Sequence, residues 1–215
     1  MSELILYIGN KNYSSWSFRP WIALDGCGIA FEERLIQFDF AAGNREIKAV
    51  SPSGRVPLLV HEGTKIWESL AIIEYAADLH PEAGLWPTER AARGVARSVS
   101  MEMLSGFRAL RGACPMNMRR PRKAIALPEG VNEDVARIVE IWREALSKSG
   151  GPFLFGDFSA ADAMYAPVVN RFDIYDLVSD GDVRAYMERM QAHPSWVKWR
   201  TAALAEPWIV EEDEA

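Results

Sequence analysis

The chain has 215 residues, 49% apolar and 25% charged, enough for one large domain or two small ones with a real core. That texture excludes a disordered tail, a collagen-like repeat and a coiled-coil rod, and no apolar run reaches the roughly 18 residues of a membrane span. The net charge of −6 lacks the basic surplus of a nucleic-acid binder.

Leu4–Ile8 is a β-rich run closed by Gly9-Asn10, and so reads as a strand followed by a loop. Residues 17–25 place Phe18, Trp21, Ile22 and Leu24 on one helical face and end at Asp25-Gly26. Phe31–Phe40 is a second strand region, and Arg45–Ala49 a short helix. Val56–Val60 and Lys65–Trp67 flank a glycine turn and predict a hairpin. Ser69–Leu79 follows as a helix. The order β-α-β-α-β-β-α describes a small mixed sheet over residues 1–80.

Residues 81–90 hold two prolines, a glycine and mixed charge, the marks of a linker. Beyond it, residues 91–215 read as all-helical, with helices near 90–118, 132–149, 160–176, 183–191 and 195–204. Ser159 and Asp162 form a capping-box variant before an almost wholly apolar helix, a structural role. The acidic end Glu211-Glu212-Asp213-Glu214 reads as a solvated, frayed terminus.

Some chemistries are disfavoured. Cys27 and Cys114 have no CxxC spacing and read as buried, reduced thiols. His61, His80 and His193 are scattered, so no metal is expected. Met1-Ser2-Glu3 has no basic region and Leu4–Ile8 is too short for a signal peptide, which points to a cytoplasmic chain.

Three features of the first 80 residues carry chemistry. The loop Asn12-Tyr13-Ser14-Ser15-Trp16-Ser17-Phe18-Arg19 gathers hydroxyls and free N–H groups at a helix start, a place to hold an anion. Arg55-Val56-Pro57 precedes a strand, where a cis X-Pro bond would offer the Val56 N–H and C=O to an extended ligand. Glu68-Ser69 opens a helix, with Ser69 as an N-cap hydroxyl and Glu68 as a partner for an ammonium. Each alone has an ordinary structural reading.

In this order they are more specific, and the chain closely resembles the glutathione S-transferase family over essentially its whole length. The markers are Ser14 to Arg19, Gly54-Arg55-Val56-Pro57-Leu58-Leu59, Glu68 to Tyr75, and the Ser159–Asp162 box. The first stretch is similar to the Ser-Ser-Cys-x-x-Arg loop of the zeta class, the maleylacetoacetate isomerases, with Trp16 in place of the cysteine. The resemblance implies an α/β thioredoxin-like N-terminal domain that binds glutathione as co-substrate and an all-α C-terminal domain for a small electrophile. It also implies a homodimer joined along the helices from Ser69 and Arg90.

Carried over by residue, Ser14 looks like the hydroxyl that activates the thiol, with Ser15 also at a suitable spacing. Val56 would make main-chain bonds to the cysteinyl part and Pro57 would be cis. Glu68 and Ser69 would bind the γ-glutamyl end. Arg55 would either pair with the glycyl carboxylate or be solvated. A non-catalytic binding protein and a glutathione-dependent cis–trans isomerase are the alternatives to a transferase.

The energetics fit a serine donor. Lowering a thiol pKa from near 8.5 by about two units takes roughly 2.7 kcal/mol, and one hydrogen bond to a charged group contributes about 1.5–3 kcal/mol. Met101, Met103, Leu104, Phe107, Met116 and Met118 offer either an adaptable pocket wall or simple core. The basic run Asn117–Lys123 either complements a helix C-terminus or attracts a carboxylate-bearing substrate.

Overall fold

Strand β1 (Ile5–Ile8) lies inside a four-stranded sheet because Leu6 and Ile8 point into the core while Ile5 and Tyr7 are half-buried. It pairs parallel with β2 (Glu32–Leu35) and antiparallel with β3 (Leu58–His61), which pairs antiparallel with β4 (Thr64–Trp67). The order is β2-β1-β3-β4. Glu62 and Gly63 close the β3–β4 hairpin with φ of 51° and 79°, the doubly left-handed turn whose twist matches its strands. The computed structural model describes residues 3–214; Met1 and Ser2, part of the amino-terminal stretch read above, and Ala215 lie outside the described residues.

Helix α1 (Ser15–Gly26) makes the crossover between the parallel strands. It starts earlier than residue 17 because Ser14 caps it, and every residue from Ser17 to Leu24 is buried. Its neighbours are α3 (Ser69–Leu79), α7 (Ala160–Ile174) and α9 (Pro194–Ala205). Phe18 stacks on Trp199 and meets Trp196 edge-on, with ring centres 4.8 and 5.2 Å away. Helix α2 (Arg45–Val50) is the short helix expected between β2 and β3.

The predicted helix 90–118 is not continuous. The chain forms α4 (Arg90–Ser105), turns at Gly106 and Phe107, and forms α5 (Arg108–Ala113). Phe107 is left-handed at φ 55°, and a Cβ on Gly106 would lie 2.8 Å from the Glu102 carbonyl oxygen. Residues 114–118 are not helical, as Cys114 precedes Pro115 and is pushed out of helical geometry.

Helices α6 (Val131–Ser149) and α8 (Gly181–Ala192) complete the bundle around α7. The expected capping box holds, with the Asp162 carboxylate accepting from the Ser159 N–H at 3.0 Å. Cys114 is buried as expected but Cys27 is half-buried; both are free, and burial pushes the Cys27 thiol up to about 11. Among the described residues, no helix is long and apolar enough to cross a membrane.

Candidate functional site

The amino end of α1 is built by its own serines. Ser14 is the N-cap: its Oγ accepts from the Ser17 N–H at 3.3 Å and donates to Ser17 Oγ at 2.7 Å. Ser17 Oγ in turn accepts from the Gly9 N–H at 3.1 Å, tying the helix start to the end of β1. Ser15 is the first helical residue, half-buried, and its carbonyl accepts from Arg19 Nη1 at 3.1 Å.

The loop before Ser14 is held by the far end of the chain. The buried Glu206 carboxylate accepts from the N–H groups of Lys11 and Asn12 at 2.7 and 3.2 Å. Asn117 accepts from Asn12 Nδ2 at 3.0 Å, and Trp199 Nε1 donates to the Lys11 carbonyl at 3.0 Å. The Glu214 carboxylate accepts from Tyr13 and from Asn117 Nδ2. Glu214 therefore docks the end of the chain on the Tyr13 loop, correcting the frayed reading, while Glu211 and Glu212 are exposed as expected. A run of acids says nothing about the buried Tyr13 and Asn117 waiting for one of them.

Arg119 explains the docking. Its Nη1 donates to the Glu206 carbonyl at 2.8 Å, and its Nη2 donates to the Trp208 carbonyl at 2.6 Å and the Tyr13 hydroxyl at 2.7 Å. The helix-terminus use of the basic run fails for this residue, since no helix ends there, and its guanidinium is taken up by the returning chain. Tyr13 is similarly committed: burial and the Glu214 carboxylate push its pKa up.

Glu206→Ala would leave two buried backbone donors unpaired. A loss of about 2 kcal/mol in urea unfolding is expected, with none for the exposed Glu212→Ala. Equal and negligible losses would mean that the terminal segment does not hold the loop.

The second wall comes from the turn before β3. The Val56–Pro57 bond is cis, as the sequence reading expected. Val56 is half-buried and Arg55 exposed. Glu68, not Ser69, occupies the N-cap position of α3, with φ of 70° and no side-chain capping bond. Ser69 is the first helical residue, and its Oγ donates to the Trp16 carbonyl at 2.7 Å. That corrects the capping role given to Ser69: the hydroxyl joins α3 to the first turn of α1.

A cavity of about 700 Å³ brings Ser14, Ser15, Arg55 and Val56 together. Pro57, Glu68 and Ser69 lie outside its lining. Of the six apolar residues offered as a pocket wall, only Met116 reaches it. Met103, Phe107 and Met118 are core, Leu104 is half-buried, and Met101 is exposed. The chain breaks at Gly106, and it is α5 after the break, not α4, that lines the cavity.

The helical wall instead presents charge. Arg108 and Arg111 from α5 and Arg171 from α7 line the cavity, with Asp213 from the terminal segment. Arg111 Nη1 closes the end of α4 by donating to the Leu104 and Gly106 carbonyls, both at 3.1 Å. Arg171 Nε donates to the Cys114 carbonyl at 2.8 Å. Burial, with Arg111 nearby, pulls Arg171 down to about 10. Sequence reasoning missed all three: Arg108 and Arg111 resemble an ordinary solvated helix surface, and Arg171 is a lone cation in a mostly apolar helix.

This geometry places the cavity between a thioredoxin-like sheet unit and a helical bundle. The profile described as "Glutathione S-transferase, N-terminal domain" matches residues 13–79, and that described as "Glutathione S-transferase, C-terminal domain" matches residues 120–202. The chain belongs to the glutathione S-transferase family. A probable maleylacetoacetate isomerase of Caenorhabditis elegans is 27% identical over 197 residues, 90% of this chain and 91% of the relative. Maleylacetoacetate isomerase of Rattus norvegicus is 27% identical over 172 residues, 77% of this chain and 76% of the relative. A glutathione transferase homolog from Burkholderia, solved with bound glutathione, superposes with a TM-score of 0.73 at 22% identity, covering 96% of this chain and all of that one (100%).

Proposed function

We propose that this glutathione transferase activates the thiol with Ser14, or with Ser15 beside it, for attack on small electrophiles. The observation that carries the assignment is one cavity shared by both serines, at the amino end of α1, and by Val56. In this reading the Val56 main chain holds the cysteinyl part and Arg55 meets the glycyl carboxylate. Glu68 takes the γ-glutamyl ammonium, and the free end of α3 at Ser69 takes its carboxylate. Residues 1–80 form the glutathione domain, 81–90 the linker and 91–215 the second-substrate domain. Two copies pair along α3 and α4, where Val95 and Met101 stand exposed.

Capture on glutathione-agarose with turnover of 1-chloro-2,4-dinitrobenzene is the expected result. Capture without turnover across an electrophile panel would overturn the transferase reading in favour of a binding protein. The relatives named as maleylacetoacetate isomerases favour a second reading, glutathione-dependent isomerisation. There the thiolate adds and is expelled again, so glutathione is not consumed, and product analysis separates the two.

A further inference from the structure

The basic run Arg119-Arg120-Pro121-Arg122 faces a cavity other than the one the serines share. That cavity lies between the second half of α7 and the outer face of α9 and holds about 520 Å³, a volume in the range of small-molecule sites. It has no lining residue in common with the Ser14 cavity. Arg119, Arg120, Arg122 and Arg200 line it against one acid, Asp173. That acid is already partnered: Gln191 Nε2 donates to it at 3.1 Å, and Arg184 stands 3.7 Å away.

Three of the cations are committed elsewhere and supply only their field. Arg119 and Arg120 donate to main-chain carbonyls, and Arg122 pairs with Asp176. Two other groups keep donors for a ligand. Arg200 on α9 is exposed and has no hydrogen bond or ion pair among the described residues. Asn170 on α7 is only 5% exposed, and its Oδ1 accepts from the Asn117 N–H at 3.3 Å. Its Nδ2 has no partner among the described residues. An amide nitrogen on so buried a side chain ordinarily has an acceptor, and a ligand oxygen in the cavity would supply it.

The remaining wall is apolar. Trp196 is buried at its base, while Val197 and Leu204 are 51% and 43% exposed. Val197, Arg200 and Leu204 stand three and seven residues apart on one face of α9, so a cation sits in the middle of an apolar rim. Such a rim matches a ligand with one negative end and an apolar body.

We propose that this cavity binds a small organic acid. Arg200 and Asn170 Nδ2 recognise its carboxylate, and Trp196, Val197 and Leu204 cover its apolar body. The site is separate from the reacting groups and independent of the transferase reading. It is still connected to them: Asn170 holds Asn117, whose Oδ1 accepts from Asn12 Nδ2 at 3.0 Å in the loop that leads to Ser14.

The test is calorimetric titration with 3-phenylpropionate and its neutral amide, 3-phenylpropionamide. The acid should bind about tenfold tighter than the amide, the worth of one charged hydrogen bond. Arg200→Gln should weaken the acid about tenfold and leave the amide unchanged. Asn170→Asp keeps the acceptor for Asn117 but replaces the free donor with a negative charge, and should weaken the acid at least as much. Arg200 is exposed, so its variant keeps the test alive where Asn170→Asp fails to fold. Saturating glutathione should leave the affinity for the acid unchanged.

Equal affinities for acid and amide would overturn the site, as would unaltered acid binding in Arg200→Gln. Displacement of the acid by glutathione would place it in the Ser14 cavity and also overturn the proposal. So would the absence of any binding heat from the acid at millimolar concentration. Because the readout is binding, each outcome stands whether or not the chain turns over an electrophile.

Discussion

Ser14→Ala is expected to raise the pKa of bound glutathione by roughly one to two units while leaving glutathione affinity nearly unchanged. A free thiol near 8.5 is mostly protonated at pH 7, so thiolate stabilisation decides the rate. The Ser14 hydroxyl donates to Ser17 Oγ, 2.7 Å away. That oxygen still accepts from the Gly9 N–H, so Ser14 can turn its proton to a sulfur without leaving Ser17 unpaired. The variant should lose about tenfold or more in kcat/KM at pH 7 and recover most of it near pH 9, because only the thiolate fraction is affected.

Two further measurements make the assignment specific. Ser14 is also the cap of α1, and replacing it should cost about 1 kcal/mol of stability. A folding defect alone would lower activity at every pH, whereas loss of the donor shifts the pH profile. Ser15→Ala is the control. Should the shift follow Ser15, the assignment moves by one residue; should neither variant shift the titration, backbone N–H groups and the α1 terminus activate the thiol.

The sheet unit was legible because its signals are local. Alternating Leu4–Ile8, the Glu62-Gly63 turn and the apolar face of Ser69–Leu79 each specify an element within a few residues. Ser14, Ser15 and Val56 were legible for the same reason and come together in one cavity. What stayed hidden depends on contacts between distant parts of the chain. Glu206 meets Lys11 across 195 residues, and Glu214 meets Tyr13 across 201. The break at Gly106 was hidden differently: one glycine in an otherwise periodic segment is compatible with a helix, and the Glu102 carbonyl that enforces the turn is visible only in three dimensions. With that turn in place, Arg108 and Arg111 of α5 line the cavity instead of Met101 and Met103 of α4.

The largest stability effect is expected at Asp162, far from any reacting group. The carboxylate is fully buried and accepts from the Ser159 N–H at 3.0 Å, Ser159 Oγ at 2.9 Å, the Leu154 N–H at 3.0 Å and the Tyr186 hydroxyl at 3.0 Å. Asp162→Ala leaves four buried donors without a partner, and a loss of about 3–5 kcal/mol is expected in urea unfolding. The site should feel it, because α7 packs on α1, accepts Arg19 Nε at the Met164 carbonyl and carries Arg171.

The same carboxyl sets a pH dependence whose sign is unusual for an aspartate. Burial pushes it up to about 6 against 3.8 unperturbed, despite four donors acting the other way. Between those values the folded chain holds a proton that the unfolded chain has released. The stabilisation is therefore complete below pH 4 and fades as pH rises through 6, by about 3 kcal/mol for a shift of roughly two units. Asp162→Asn keeps one acceptor oxygen and cannot titrate, so its urea midpoint should lose this fall between pH 4.5 and 7.5. Parallel falls in the two proteins would mean that Asp162 stays ionised throughout and that its four donors outweigh its burial.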